Sequence, residues 1–243
     1  MFWLLPSFGL IDLTVTWSST WPQVLEAGWG LYFTLLVGAP FIAVAARSRL
    51  PTGAPEMLVV ATLALLVSGV VALEIGCVVL GLILAVGAVA VTWPWRWPFG
   101  ELRRSGTDRM SAVFGTLAVA SAGPWLVYAV HMWSLNRQDR FDSDVTNDLD
   151  HYSVQGAFGL AMVLLAFLLV PVGMRVGRRL VGVCTGLAAA YLGLVSLAWH
   201  PTQGSFGPVW SVLCMAWGLA LVVLPFLPAA NSGKGLPDTP YAA

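Results

Sequence analysis

The sequence predicts an all-α integral membrane protein, a bundle of seven transmembrane helices with its N-terminus outside and its C-terminus in the cytoplasm. Three observations lead to this fold class. Of the 243 residues, 58% are hydrophobic and 10% are charged, and the mean hydropathy is +0.81. Seven stretches are apolar over the length that a bilayer requires, and the basic residues cluster in alternate connections between them.

The composition excludes several classes of protein. A soluble domain is about a quarter charged, and a chain with 10% charged residues lacks the polar surface that water must solvate. Intrinsic disorder is excluded because it requires low hydrophobicity. Since the net charge is zero and lysine is almost absent, no nucleic-acid partner is expected. The expected surroundings are the lipid bilayer of the cell (cytoplasmic) membrane, crossed in several passes, with other membrane proteins as candidate partners.

Each predicted span has the length of a bilayer-crossing helix, which needs about 17 to 25 mostly apolar residues. The spans are 25–46, 57–73, 76–95, 111–133, 153–174, 180–199 and 207–228. The second and third are nearly fused. A single helix from Met57 to Trp95 would be about 58 Å long, roughly twice the thickness of the hydrocarbon core. A hairpin turn is therefore predicted near Glu74, the charged residue within that run.

The distribution of basic residues predicts the orientation, because cytoplasmic loops carry the excess of lysine and arginine. Ten of the twelve basic residues lie in the connections after spans one, three and five or in the C-terminal tail. The other two, Arg137 and Arg140, follow span four. Residues 1–24 are predicted to be an interfacial or re-entrant N-terminal segment, 25–229 the transmembrane domain, and 230–243 a disordered cytoplasmic tail.

Small residues and a proline predict how the helices pack. Gly182, Gly186 and Ala190 in span six follow one another at four-residue spacing, which makes a stripe along which a neighbouring helix can approach closely. Gly123-Pro124 lies near the middle of span four. Proline removes a backbone hydrogen bond there and predicts a kink, which either serves packing or opens a cavity.

The middle third of every predicted span lacks Asp, Glu, Lys, Arg and His. Proton pumps, voltage sensors and most ion-coupled transporters need such groups inside the membrane, so these mechanisms are not expected. Lysine is absent from every span, which excludes a retinal Schiff base. No haem-binding or nucleotide-binding motif is present either, and a divalent metal is the one cofactor that the sequence suggests.

The three histidines all map to the outer ends of spans: His131 ends span four, His151 begins span five and His200 ends span six. Neutral imidazoles, often with carboxylates, bind zinc and similar ions. The candidate metal ligands are therefore these histidines with Asp148 and Asp150. No His-x-x-x-His spacing arranges two ligands in advance, and the alternative is that the histidines contact headgroups and water.

The acidic segment 142–155 permits two incompatible structures. As an N-terminal extension of span five, it places Asp144, Asp148, His151 and Gln155 on one helix face, at steps of four, three and four residues. Such a face is suited to a divalent ion, a cationic ligand or a protein partner.

In the other structure, the segment is a calcium loop with oxygen ligands at alternate positions from Asp142 to Asp150. Ser153 then stands at the twelfth position, where a bidentate glutamate is usual. A solvated acidic loop that caps span five is the simplest interpretation of the same residues.

Polar side chains also extend inward from the outer ends of two spans. Span four carries Ser121, Tyr128 and His131 on roughly one side, and span six carries Thr185, Ser196 and His200 in a similar way. Uncharged polar walls beside aromatic residues suit a lipid-like or amphipathic ligand better than an ion. The candidate ligand-binding residues are Asp144, Gln155, Glu74, Tyr128 and Ser196.

The chain also resembles a group of proteins. Its amino-acid composition is rich in Ala, Val, Trp and Arg, which resembles that of proteins from high-GC bacteria. Its segment Asp148-Leu-Asp150-His151-Tyr-Ser-Val-Gln155 is similar to segments of uncharacterised polytopic membrane proteins of such bacteria. The resemblance implies a multi-pass membrane fold and brings no activity with it.

Three hypotheses for function follow from the sequence, and whether the protein is an enzyme stays open. The first is a His/Asp-rich extracytoplasmic site that binds a divalent metal or a small amphipathic ligand. The second is a non-catalytic subunit or assembly factor of a membrane complex, motivated by the small-residue stripes. The third is an exporter of a neutral amphipathic solute, which the kink at Pro124 and the uncharged spans permit.

Overall fold

A computed structural model shows that the part of the chain it describes is helical and contains no strand. The structure describes residues 4–15, 17, 22–46, 53–92, 109–138, 151–171 and 175–227. Seven of its helices are long and apolar enough to cross a membrane. The predicted number of apolar helices of membrane-spanning length is therefore confirmed for the described residues, and their ends agree with the predicted ends to within six residues.

The helices follow the predicted order along the chain. Their bounds are α1 Leu4–Val15, α2 Gln23–Leu31, a π-helical segment Tyr32–Gly38, α3 Ala39–Ala45, α4 Ala54–Ala72, α5 Ile75–Thr92, α6 Arg109–Gln138, α7 His151–Leu168, α8 Arg175–Ala198, α9 Pro208–Val223 and a 3₁₀ turn Leu224–Phe226. The helix α2, the π segment and α3 are continuous and together form span one, Gln23–Ala45.

Span one widens in its middle into the π segment. There the amide of Ala39 donates to the carbonyl of Thr34, five residues earlier, whereas an α-helix bonds four residues back. Pro40 follows at once and has no amide proton to continue regular bonding. A neighbouring helix holds the π segment in place, because the buried hydroxyl of Tyr32 donates to the carbonyl of Ala61 in α4.

The predicted hairpin between spans two and three is confirmed at Leu73 and Glu74. Leu73 adopts a left-handed conformation with φ 60°, and the amide of Glu74 donates to the carbonyl of Gly69 at 2.7 Å. The end of α6 then caps α4: the Arg137 side chain donates to the carbonyl of Val71, and Asn136 Nδ2 donates to that of Ala72 at 3.3 Å. These donors bind the carbonyls that a helix end leaves without partners.

The predicted small-residue stripe in span six packs against span seven, as the sequence indicates. A methyl group added to Gly186 would lie 2.4 Å from the carbonyl oxygen of Gly218, and one added to Gly182 would lie 2.7 Å from that of Leu221. On the other side, a methyl group on Gly218 would lie 2.6 Å from the amide nitrogen of Ala190. The backbones of α8 and α9 therefore meet with no room for side chains between them.

A buried polar cluster joins four helices, α4, α5, α6 and α7, close to the turn between α4 and α5. The indole of Trp133 in α6 donates to Ser68 Oγ in α4 at 2.6 Å, and Ser68 donates to the carbonyl of Ser153 in α7. The Ser153 hydroxyl lies 2.8 Å from the sulfur of Cys77 in α5. Gly156 makes the contact possible, because a methyl group there would lie 2.2 Å from the Trp133 indole nitrogen. Cys77 is thus a buried packing residue.

The helix α1 lies antiparallel to the first half of span one. A methyl group added to Gly9 would lie 2.9 Å from the carbonyl of Gly30, and one added to Gly30 would lie 2.7 Å from that of Gly9. Beyond α1, the indole of Trp17 donates to the hydroxyl of Tyr191 in α8 at 3.0 Å. The described part of the N-terminal segment is therefore packed onto the bundle, whereas the predicted tail 230–243 lies outside the described residues.

Candidate functional site

The three histidines have different environments. The side chains of His131 and His200 are exposed, whereas His151 is 3% exposed. Across the ranges that the structure describes, no three His, Cys, Asp or Glu side chains are placed to hold a metal ion. The three histidines form no such group. Asp148 and Asp150, the other two predicted metal ligands, lie outside the described residues.

His151 instead pairs with Glu26. Its Nε2 lies 3.2 Å from Glu26 Oε1, and both side chains are buried. His151 begins α7 and Glu26 lies in the first turn of α2, so the pair joins the N-terminal ends of these two helices. Burial costs a charged group its hydration, and a hydrogen-bonded partner offsets that cost.

Asp12 of α1 completes this titratable cluster. Its side chain makes a hydrogen bond with Glu26. Burial, and then the neighbouring Glu26 carboxylate, raise the pKa of Asp12 from 3.8 to about 7, while His151 opposes the rise. The cause is that two adjacent carboxylates away from water cannot both ionise cheaply. Sequence reasoning misses the contact between Glu26 and Asp12, because no pattern in the sequence indicates which face α1 turns to α2.

The raised pKa of Asp12 predicts how stability varies with pH. The folded protein binds a proton at Asp12 more tightly than the unfolded chain between pH 3.8 and about 7, so this residue's contribution to stability falls as pH rises through that window. Asp12→Asn should flatten the fall and unfold at a higher temperature than wild type at pH 8. Thermal unfolding in detergent from pH 4.5 to 8 measures this, and parallel curves for the two proteins would contradict it.

A groove of about 700 Å³ opens sideways between α6 and α9. We call it the lateral groove. It is lined by Ala120, Ser121, Pro124, Trp125, Val127, Tyr128, His131, Ser205, Phe206, Trp210, Leu213, Cys214 and Trp217. No Asp, Glu, Lys or Arg stands among these described residues, and His131 lies at one end of the lining.

Aromatic rings form the base of the lateral groove. The Trp125 ring lies 6.0 Å from that of Trp217 and 5.8 Å from that of Phe206, measured between centroids. The Phe206 ring lies 4.6 Å from Tyr128. Two helices and the connection before α9 contribute these rings, so a sequence pattern within one helix cannot reveal the group.

Hydrogen bonds from residues that do not line the groove hold its aromatic base in place. The Tyr128 hydroxyl donates to the carbonyl of Gly204 at 2.9 Å and accepts from Gln155 Nε2 at 2.5 Å. Gln155 is fully buried, and its amide packs against Gly28, where a methyl group would lie 1.6 Å from Oε1. The hydroxyl of Ser196 accepts from the amide of Phe206 at 2.5 Å. Gln155 and Ser196 therefore position two rings of the lateral groove without lining it.

The predicted ligand-binding residues separate into three groups. The structure brings Ser121, Tyr128 and His131 together along the lateral groove, as their common side on span four predicts. The polar residues of span six, which are Thr185, Ser196 and His200, do not line the lateral groove. Glu74 lies half-buried in the turn between α4 and α5, which places it outside the groove lining, and Asp144 lies outside the described residues.

Comparisons with known proteins found no matching family model, no matching curated protein and no matching solved structure.

Proposed function

We propose that this multi-pass membrane protein binds one neutral, amphipathic, lipid-like molecule in the lateral groove. The observation that supports this most directly is the lining, which combines an aromatic base with a few polar groups on a single side of α6. The volume of about 700 Å³ falls within the range of about 300–1,000 Å³ that is usual for small-molecule sites.

The chemistry of the wall favours a neutral ligand over an ion. A charged ligand at this depth needs an opposing charge or a metal, and the described lining supplies neither. Aromatic rings and aliphatic side chains instead bury apolar surface, and a small number of polar atoms then fix the orientation. The arrangement therefore supports the amphipathic-ligand form of the sequence hypothesis rather than its metal form.

The position of the lateral groove favours entry from the bilayer. Val127 and Leu213, which border it on α6 and α9, are both more than half exposed on the face where lipid contacts are expected. Under the orientation that the arginines predict, the groove lies in the outer half of both helices. We therefore place the ligand in the outer leaflet, reaching its site by sideways diffusion.

Blocking the lateral groove tests the proposal. A diazirine-bearing long-chain alcohol, incorporated into vesicles with the purified protein and irradiated, is expected to label peptides 120–131 and 205–217. Ala120→Phe fills the groove and should reduce that labelling at least fivefold. Val119→Phe is the matched control, because Val119 is 68% exposed and does not line the groove, and it should label like wild type.

Two results would count against the proposal. Labelling that is spread evenly over all lipid-facing helices would show that the groove holds nothing preferentially. Equal labelling of Ala120→Phe and Val119→Phe would show that the labelled peptides are reached from outside the groove. The roles of complex subunit and solute exporter stay predictions from the sequence.

A further inference from the structure

Pro124 changes the hydrogen-bonding capacity of the lateral groove. It lies inside the continuous helix α6, and proline has no amide proton. In a regular helix the carbonyl of Ala120 accepts from residue 124, so here that bond is missing. Ala120 and Pro124 both line the groove. The groove therefore contains a backbone acceptor that its own helix does not satisfy.

Three of the donors on this wall are directed to other carbonyls. The Ser121 hydroxyl donates to Ala118 at 3.2 Å, and the Trp217 indole donates to Leu117 at 3.3 Å. The Tyr128 hydroxyl donates to Gly204. Next to the proline, a methyl group added to Gly123 would meet no atom within 4 Å, so no other helix covers this point.

A carbonyl at this depth requires a donor from elsewhere. Within hydrocarbon an unsatisfied backbone group costs several kcal/mol, and the freed groups beside a membrane proline are usually bound by neighbouring side chains or water. The aromatic base lies between Ala120 and His131, which are about 16 Å apart along a helix of this rise. A molecule in the groove thus has one hydrogen-bond acceptor at its inner end and a long apolar surface beside it.

We propose that the ligand is a neutral lipid alcohol whose hydroxyl donates to the carbonyl of Ala120. Its apolar body runs across Trp125 and Tyr128 toward His131. This inference rests on the proposed function and specifies the chemical class of its ligand: a hydrogen-bond donor is required, and a lipid that carries acceptors alone binds less well.

The experiment compares a diazirine-bearing long-chain alcohol with its methyl ether, which keeps the oxygen and lacks the proton. Both are incorporated into vesicles with wild-type protein, and groove labelling is normalised to that of α5, which is 28% buried over its span and so largely lipid-facing. The alcohol should label groove peptides roughly fivefold to tenfold more than the ether, the effect of one hydrogen bond.

A second variant locates the acceptor. Pro124→Ala restores the amide proton that the Ala120 carbonyl receives in a regular helix, so it should remove the preference for the alcohol. Equal labelling by alcohol and ether in wild type would overturn the inference and leave the proposed function intact. Absence of groove labelling by both probes would overturn the proposed function. A preference that persists in Pro124→Ala would overturn the assignment to Ala120.

Discussion

Replacing Gly186 with alanine is expected to lower the stability of the protein by about 2–3 kcal/mol, the upper range for overpacking a tight contact. The added methyl group would lie 2.4 Å from the backbone oxygen of Gly218, and backbone cannot rotate away as a side chain can. The α8 and α9 helices must then separate. Because α9 forms one wall of the lateral groove, groove labelling should fall as well.

Gly115→Ala is the matched control, since it makes the same change inside a helix of the same bundle. A methyl group there meets a single neighbour, Val170, at 4.0 Å, an ordinary contact. It should raise stability slightly, because alanine is a better helix former than glycine. Thermal unfolding in detergent compares the two variants. Equal melting temperatures would show that α8 and α9 tolerate a wider separation than the structure indicates.

Glu26→Ala is expected to have an effect of similar size, about 2–3 kcal/mol, because the buried imidazole of His151 loses the carboxylate that lies 3.2 Å from it. The loss should be seen as a lower melting temperature and as easier proteolysis of the N-terminal segment, since α1 contacts this pair through Asp12. Glu74→Ala, a carboxylate in the turn between α4 and α5, is the control and should change little.

A double variant separates the pair from its surroundings. If the cost of Glu26→Leu comes from the His151 imidazole left in an apolar site, adding His151→Leu should recover part of the lost stability. Losses that simply add would show that the two residues act independently. That result would contradict the contact of 3.2 Å as an energetic interaction.

The sequence predicts the spans well because a bilayer imposes length and hydrophobicity on each helix separately. The turn at Glu74 and the contact face of Gly182 and Gly186 follow from the same local logic, and the structure bears both out. The predicted orientation of the ends rests on charge alone and stays a prediction. Span length, turn position and contact face are each properties of one helix and its two ends.

The candidate site is less predictable because it depends on how the helices are arranged around the bundle. The sequence predicts one depth for His131, His151 and His200, but the side chain of His151 is buried whereas those of His131 and His200 are exposed. The position of a residue along a helix is encoded locally, whereas the surroundings that its side chain faces are set by helices from distant parts of the chain. For the same reason Tyr128 could be assigned to a polar side of span four, while Phe206 and Trp217 could not be assigned to the same groove.

The π segment Tyr32–Gly38 makes span one sensitive to the number of residues it contains. Such a wide turn accommodates one residue more than an α-helical path between the same end points. If the segment became a regular α-helix with all of its residues, one end of the span would turn relative to the other by about 100°, the rotation of a single α-helical residue. Glu26 would then leave the side of the bundle that holds His151, so the register of this helix depends on chain length as much as on side-chain chemistry.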